Sequence, residues 1–461
     1  MAKINSSAIY ETIKKLCILA NCRLPKEEYF ALTECYKNEN NEQAKTVLTQ
    51  ILENAKIAFI DQRPLCQDTG FVTLFAEIGQ NVQIYGDDFN STVNKAVSDA
   101  YTEYFYRKSL VTSPINEREN TNNNTPVLIH TQITPGDTIN LILSIKGGGC
   151  ENVSSLKMLT PTEGECGIID FVLETIKQAG SKPCPPIRVG IGIGSNFEGS
   201  AILSKKALLE PLSNPSDLEK QLLEKINALN IGAMGFSGNS TCFGVNILDE
   251  SCHIASLPVA ISIACHSSRH SSAKITEDKI IFEENNYDFS KIQNKEKKLR
   301  TINTTEITEI KNLRAGEAVA ITGKIYTARD AAHKKLEELI TKNKDLPIDI
   351  KNAIIFYAGP CPANKNEIIG PIGPTTSARM DKFTPKLYEM GLLATIGKGE
   401  RNQAVKLAAE KYNGKYFTVT GGVASLLKKS IKSAKIVAYP ELGAEALYEL
   451  EVENFPVMVN F

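Results

Sequence analysis

Apolar residues return at helical spacing through residues 5 to 58, where Ile9, Ile13, Leu16 and Ala20 would share one face. Pro25 and the cluster Asn38-Glu39-Asn40-Asn41 break that stretch into separate helices. From Pro64 to Ile263 short apolar strands and helical segments mix, punctuated by Gly147-Gly148-Gly149 and by the glycines between Gly190 and Gly194. Between Lys274 and Lys311 the pattern turns charged and loses its period, as in a connector. The C-terminal part then alternates. Ala318–Ile321 reads as a strand, Asp330–Ile340 as a helix and Ala353–Tyr357 as a strand. Leu392–Ile396 is a strand, Arg401–Tyr412 a helix, Tyr416–Thr420 a strand, and Ile436-Val437 belongs to another. That rhythm predicts an α/β layer with crossover helices.

The expectation is therefore an α/β and α+β protein of two domains. Residues 1–284 form a mixed α+β domain with a helical N-terminus, 285–303 a linker, and 304–461 a smaller α/β domain. Composition narrows the function. Lys and Arg total 52 against 53 Asp and Glu, a net charge of -1, and no basic block is long enough for a nucleic-acid face. No apolar run reaches membrane-spanning length, and Met1-Ala2-Lys3-Ile4-Asn5 leads into polar helical sequence rather than a signal peptide, so a cytoplasmic protein is expected. Eleven cysteines in a reducing compartment stay unpaired. Cys17, Cys22 and Cys35 lie in the periodic N-terminal stretch and read as small core hydrophobes. No C-x-x-C occurs, which excludes zinc ribbons and ferredoxin spacing.

Chemistry gathers in short clusters. Cys66-Gln67-Asp68-Thr69-Gly70 is a tight loop with a thiol and a carboxylate, and Arg107-Lys108-Ser109 follows an aromatic helix. Cys184-Pro185-Pro186 precedes an apolar strand, and His253 precedes another that ends at Cys265-His266. Each cysteine taken singly is as well explained as a buried, inert thiol. Cys66, Cys184 and Cys265 nevertheless sit at element ends, where backbone geometry can present a thiolate. Gly190-Ile191-Gly192-Ile193-Gly194 lacks dinucleotide-binding spacing and reads as a strand packed closely on another backbone. Lys146-Gly147-Gly148-Gly149-Cys150 suits an anion cradle or a plain tight turn.

In the C-terminal part, Asp330 suits a helix N-cap with Arg329 just before it, and Gly397-Lys398-Gly399 follows a strand end. The run Gly373-Pro374-Thr375-Thr376-Ser377-Ala378-Arg379-Met380-Asp381 places three hydroxyls, a guanidinium and a carboxylate behind one turn. Arg107, Arg329, Arg379 and Lys398 are cations on loops that carry few acids, a set suited to a small dicarboxylate.

In chain order these pieces resemble the class I, iron–sulfur fumarase family and its relative L-tartrate dehydratase. The tail Pro440-Glu441-Leu442-Gly443-Ala444-Glu445-Ala446 fits too, and the likeness runs from about residue 5 to the end. The resemblance implies a 4Fe-4S cluster held by Cys66, Cys184 and Cys265, with Cys150 standing where the family commonly has Ser. It implies Thr375 as base, Asp68 and His253 as further catalytic groups, and Gln67, Arg107, Arg329, Arg379 and Lys398 as substrate contacts. It also implies a homodimer and the hydration of fumarate to (S)-malate. Gly235–Thr241 looks closer to the two-subunit enzymes and some tartrate dehydratases, so tartrate or another 2-hydroxy diacid stays open as substrate. A non-catalytic iron–sulfur sensor is the reading from another class; it needs the cysteines but not the cations and the base.

Overall fold

A computed structural model describes residues 1–267, 269–283, 289 and 299–461 of the chain. It divides into two compact units, Met1–Leu48 with Ala55–Lys291, and Thr49–Asn54 with Ile292–Phe461. Of the expected linker 285–303, residues 285–288 and 290–298 lie outside the described residues. Its last residues are a strand, Arg300–Asn303. The expected connector is therefore partly ordered sheet, since Ile280–Phe282 also pairs with the strand before it.

The first unit begins with the helices Ser6–Cys22, Lys26–Asn38 and Glu42–Asp61. Asn5 caps the first by accepting the Ser7 N–H at 2.8 Å. Ile9, Ile13, Leu16, Cys17 and Ala20 of that helix are buried, the face that the spacing predicted. Cys22 is buried as well, whereas Cys35 is only half-buried. Ile9, Ile13, Leu16, Cys17 and Ala20 pack on a five-stranded sheet ordered Ile280–Phe282, Arg269–Ile275, Ile139–Lys146, Phe71–Gly79 and Leu128–Thr134.

A second sheet orders Ser155–Leu159, Leu257–Cys265, Ile187–Gly194 and Cys242–Glu250 around its own apolar core. Here the glycine-rich strand meets the helix Phe197–Ala207. A Cβ added at Gly192 would stand 2.1 Å from the Ser200 carbonyl oxygen, so only glycine lets the backbones approach so closely. Among the described residues no helix is long and apolar enough to cross a membrane.

In the second unit Ala318–Thr327, Ile354–Phe356, Ala394–Gly397 and Lys415–Thr418 run parallel, with helices Asp330–Thr341 and Gln403–Tyr412 in the connections. The alternation predicted that much. It did not predict the final strand, Leu447–Val459, which pairs antiparallel with both Ala318–Thr327 and Lys415–Thr418. The parallel layer thus closes on itself. Glu449, Glu451 and Glu453 alternating with Leu450 and Val452 were the available signal of a half-buried strand.

Candidate active site

Strand register explains why the cysteines of the first unit converge. Ile187 pairs with Cys265, so Cys184, three residues upstream, lies at the same sheet end. In the five-stranded sheet Phe71 pairs with Lys146, and Arg269 with Ile145, which places the 66–70 loop beside Gly147 and Arg269. Cys184 takes a left-handed backbone, φ 59°, unusual for a residue with a Cβ and a sign of a locally imposed geometry.

Asp68 organises this set. One carboxylate oxygen accepts the Gly70 N–H at 3.2 Å, and the other accepts that of Gly148 at 3.1 Å. Arg107 closes an ion pair at 3.2 Å. Burial pushes the Asp68 carboxyl up, but Arg107, Arg269 and the two amides outweigh it and hold it below the usual carboxylate range. From the glycine turn at 147–149 one N–H, that of Gly148, meets an anion, and that anion is the protein's own Asp68 carboxylate.

Burial pushes the Cys66 thiol up to about 12, with Arg269 pulling the other way. The neighbouring Cys150 thiol holds Cys265 well below its ordinary value, while the Cys150 sulfur itself donates to the Pro183 carbonyl at 3.6 Å. The Cys265 sulfur also lies 3.0 Å from the Ser267 hydroxyl. The structure therefore adds two groups to the predicted set: Cys150, and the buried cation Arg269. The glycine run before Cys150 was a signal for the first. Arg269 gave none, because nothing in its local sequence marks it as facing the 66–70 loop.

His253 is not brought to this set. It lies exposed in the turn before the Leu257–Cys265 strand and accepts the Ala255 N–H at 3.1 Å. Nine extended residues span roughly 26 Å, so the strand carries Cys265 far from it within one chain.

In the second unit the predicted residues gather at the C-terminal ends of the parallel strands. The Thr375 N–H donates to the Tyr357 carbonyl at 2.7 Å, and Thr376 bridges to Lys398. Ser377 is fully buried: its N–H donates to the Lys398 carbonyl at 2.9 Å, and its hydroxyl accepts the Lys398 N–H at 3.1 Å. The hydroxyl-rich turn is thereby fastened to the turn that bears Lys398. Arg379 donates to the Thr375 hydroxyl at 3.1 Å and to Asp330 at 3.0 Å, and pairs with the other Asp330 oxygen as an ion pair at 2.6 Å.

Two expectations are corrected here. Arg329, not Asp330, is the N-cap, and it makes no side-chain cap; Asp330 is the first helical residue and spends its carboxylate on Arg379. The cations also do not stand on loops poor in acids. Arg107 pairs with Asp68, Arg329 with Glu445 at 3.1 Å, and Arg379 with Asp330. These acids are distant in sequence or adjacent to a different cation, so local composition hid them.

Sequence reasoning also missed Arg401. It is buried, donates to Asp381 at 2.7 Å and to Thr384 and Thr395, and lies over the rings of Tyr357 and Tyr416. It anchors the end of the hydroxyl-rich turn from beneath. Among the described residues, no three His, Cys, Asp or Glu side chains are gathered as they would be around a single metal ion.

Comparison with known proteins bears on this geometry. Residues 10–274 match the family described as "Fumarate hydratase (Fumerase)", and residues 272–461 the one described as "Fumarase C-terminus". The chain is 31% identical over 456 residues to the anaerobic class I fumarate hydratase of Escherichia coli K12, covering 91% of this chain and 82% of that protein. The chain belongs to the class I fumarate hydratase family. Its members are hydro-lyases, enzymes that add or remove water. The Geobacillus stearothermophilus protein named "Putative fumarate hydratase class I" is 29% identical across 98% of this chain and 94% of its own length. The Methanocaldococcus jannaschii protein named "Putative L(+)-tartrate dehydratase subunit alpha" is 41% identical but covers 59% of this chain, with 98% of its own length aligned.

Proposed function

We propose that the chain hydrates fumarate to (S)-malate, reversibly, with a 4Fe-4S cluster held by Cys66, Cys184 and Cys265. The observation that carries this reading is that Cys184 and Cys265 share one sheet end, with Cys66 of the neighbouring loop within electrostatic reach of Cys265, of the buried Arg269 and of Asp68 in its pair with Arg107. The donor set fits the group. Thiolates are its customary ligands, and a polynuclear cluster needs sulfurs spaced more widely than a single ion does. When bound, it supplies Lewis acidity toward the hydroxyl that leaves malate.

The remaining work falls to the side chains. Dehydration requires removal of a weakly acidic proton from the carbon beside a carboxylate. Thr375 takes that proton in this reading, and the Arg379 bond to its oxygen favours the ionised hydroxyl. Arg329, Arg379 and Lys398 hold the dicarboxylate and stabilise the charge that builds on it. Their resting partners, Glu445 and Asp330, orient the guanidiniums until substrate carboxylates compete for them. Gln67 and Arg107 contact substrate, and Asp68 fixes the Arg107 fork.

His253 is the remaining catalytic group of the proposal, and its distance from Cys265 along the strand suits a homodimer in which each copy lends this residue to the other. Eleven unpaired thiols accord with a cytoplasmic setting. The strong N-terminal match to a protein named for tartrate favours a second reading, dehydration of L(+)-tartrate on the same groups.

Anaerobic reconstitution followed by absorbance assays with malate, fumarate and each tartrate isomer tests both. Malate–fumarate interconversion that dies in air is the expected result. Brown protein active on tartrate alone selects the second reading, and brown protein inert toward all of them overturns both.

A further inference from the structure

Arg269 is 3% exposed, and its Nε and Nη1 groups have no hydrogen-bond partner among the described residues. A guanidinium with idle donors in the interior is costly, because burial strips its water and nothing replaces it. Around it stand the Cys66 thiol, which burial keeps protonated, Cys265, the Asp68 carboxylate and the Tyr101 hydroxyl, which donates to the Thr69 carbonyl. Asp68 is already matched by Arg107 and two backbone amides. The cation is therefore left facing two of the three thiols assigned above to the cluster, with donors to spare.

We propose that Arg269 is the counter-ion and hydrogen-bond donor of the iron–sulfur cluster, a positioning residue that completes the site once the cluster is bound. The inference rests on the cluster assignment of Proposed function. Three thiolates on a dicationic 4Fe-4S core leave one negative charge, and Arg269 is the buried positive charge that offsets it. Its idle Nε–H and Nη1–H then donate to cluster or cysteine sulfur. Hydrogen bonds and positive charge near the sulfurs raise a cluster's potential and slow its oxidative loss. The Arg269–Ile275 strand delivers the side chain through its pairing with Ile139–Lys146, so its position does not depend on the cluster.

The test compares wild type, Arg269→Gln and Arg269→Lys, each purified anaerobically and reconstituted. Iron and sulfide content, an EPR-monitored redox titration and the rate of cluster bleaching in air are read beside the unfolding midpoint of the apo-proteins. Arg269→Gln is expected to favour the oxidised cluster about tenfold more, about 59 mV lower in midpoint for one electron. It is also expected to bleach faster, with Arg269→Lys between the two because it keeps the charge and loses the fork. The apo form of Arg269→Gln should unfold no earlier than apo wild type, since the variant removes an incompletely compensated buried charge.

A wild type that takes up no cluster overturns the cluster assignment and this inference with it. A loaded wild type whose variants match it in potential and bleaching overturns the role of Arg269 alone. So does apo Arg269→Gln that unfolds earlier or fails to fold, which marks the residue as structural.

Discussion

The two units hold charge in opposite ways. In the first, ionisable groups lie inside: Arg269 is almost fully buried, and the Asp68–Arg107 pair is 25% and 14% exposed. In the second, the Arg379–Asp330 pair is 47% and 34% exposed, and Thr375 is half-buried beside it. On the proposed reading Arg269 serves a resident inorganic charge, whereas Arg379 and Asp330 serve a ligand that comes and goes. A permanent partner can compensate buried charge, whereas a transient one needs groups that remain solvated between visits. The second unit is not uniform: Arg329–Glu445 is 12% and 26% exposed, as buried as Asp68–Arg107, and Arg401–Asp381 is buried like Arg269 but used to hold a turn.

The largest effect tests the exposed set. Thr375→Ala is expected to lower kcat by about 10²–10⁴-fold, the range of a positioned general base, with cluster content unchanged. Near-normal turnover would leave the cations of the second unit as binding groups only. Next comes the buried pair that holds the turn. Arg401→Met strands Asp381 without its partner and should cost about 3–5 kcal/mol in urea unfolding, whereas Asp381 and Arg401 replaced together should recover part of that. A cost near zero would mean that this pair is no more structural than the exposed ones.

Acid should then affect both units by one route. Burial holds His270 of the first unit down to about 3 and His333 of the second down to about 4, from an ordinary 6.5. Folded-state values below the unfolded one mean that stability is complete above pH 6.5. It falls as pH drops toward the folded values, by at most about 1.4 kcal/mol per pH unit for each histidine. Acid titration of the unfolding midpoint in His270→Gln and His333→Gln should each show a shallower slope than wild type; an unchanged slope in either would place the acid sensitivity elsewhere. The smallest effect is expected at the Lys386–Glu389 surface pair, where Lys386→Ala should leave the urea unfolding midpoint essentially unchanged; a clear shift would give this exposed pair a structural role.

Much of the frame was legible in the sequence. The periodicity of Ile9, Ile13 and Leu16, the parallel alternation after Ala318 and the close-packed glycines all reflect short-range rules. So did the hydroxyl-rich turn, whose residues are contiguous. What stayed hidden depended on residues far apart in the chain: Glu445 on Arg329, Lys398 on Ser377, Arg401 on Asp381, Arg269 among the thiols.

By itself the chain's order of residues determined the element types, the family likeness and the thiols, cations and hydroxyls available for chemistry, because these follow from local spacing and contiguous motifs. Only the tertiary structure decided which cation meets which carboxylate, that Cys150 leans on Cys265 while His253 stands a strand's length away, and that Arg269 keeps two donors idle. Strand register and burial set those distances and charges, and both are properties of segments that meet only once the chain has folded.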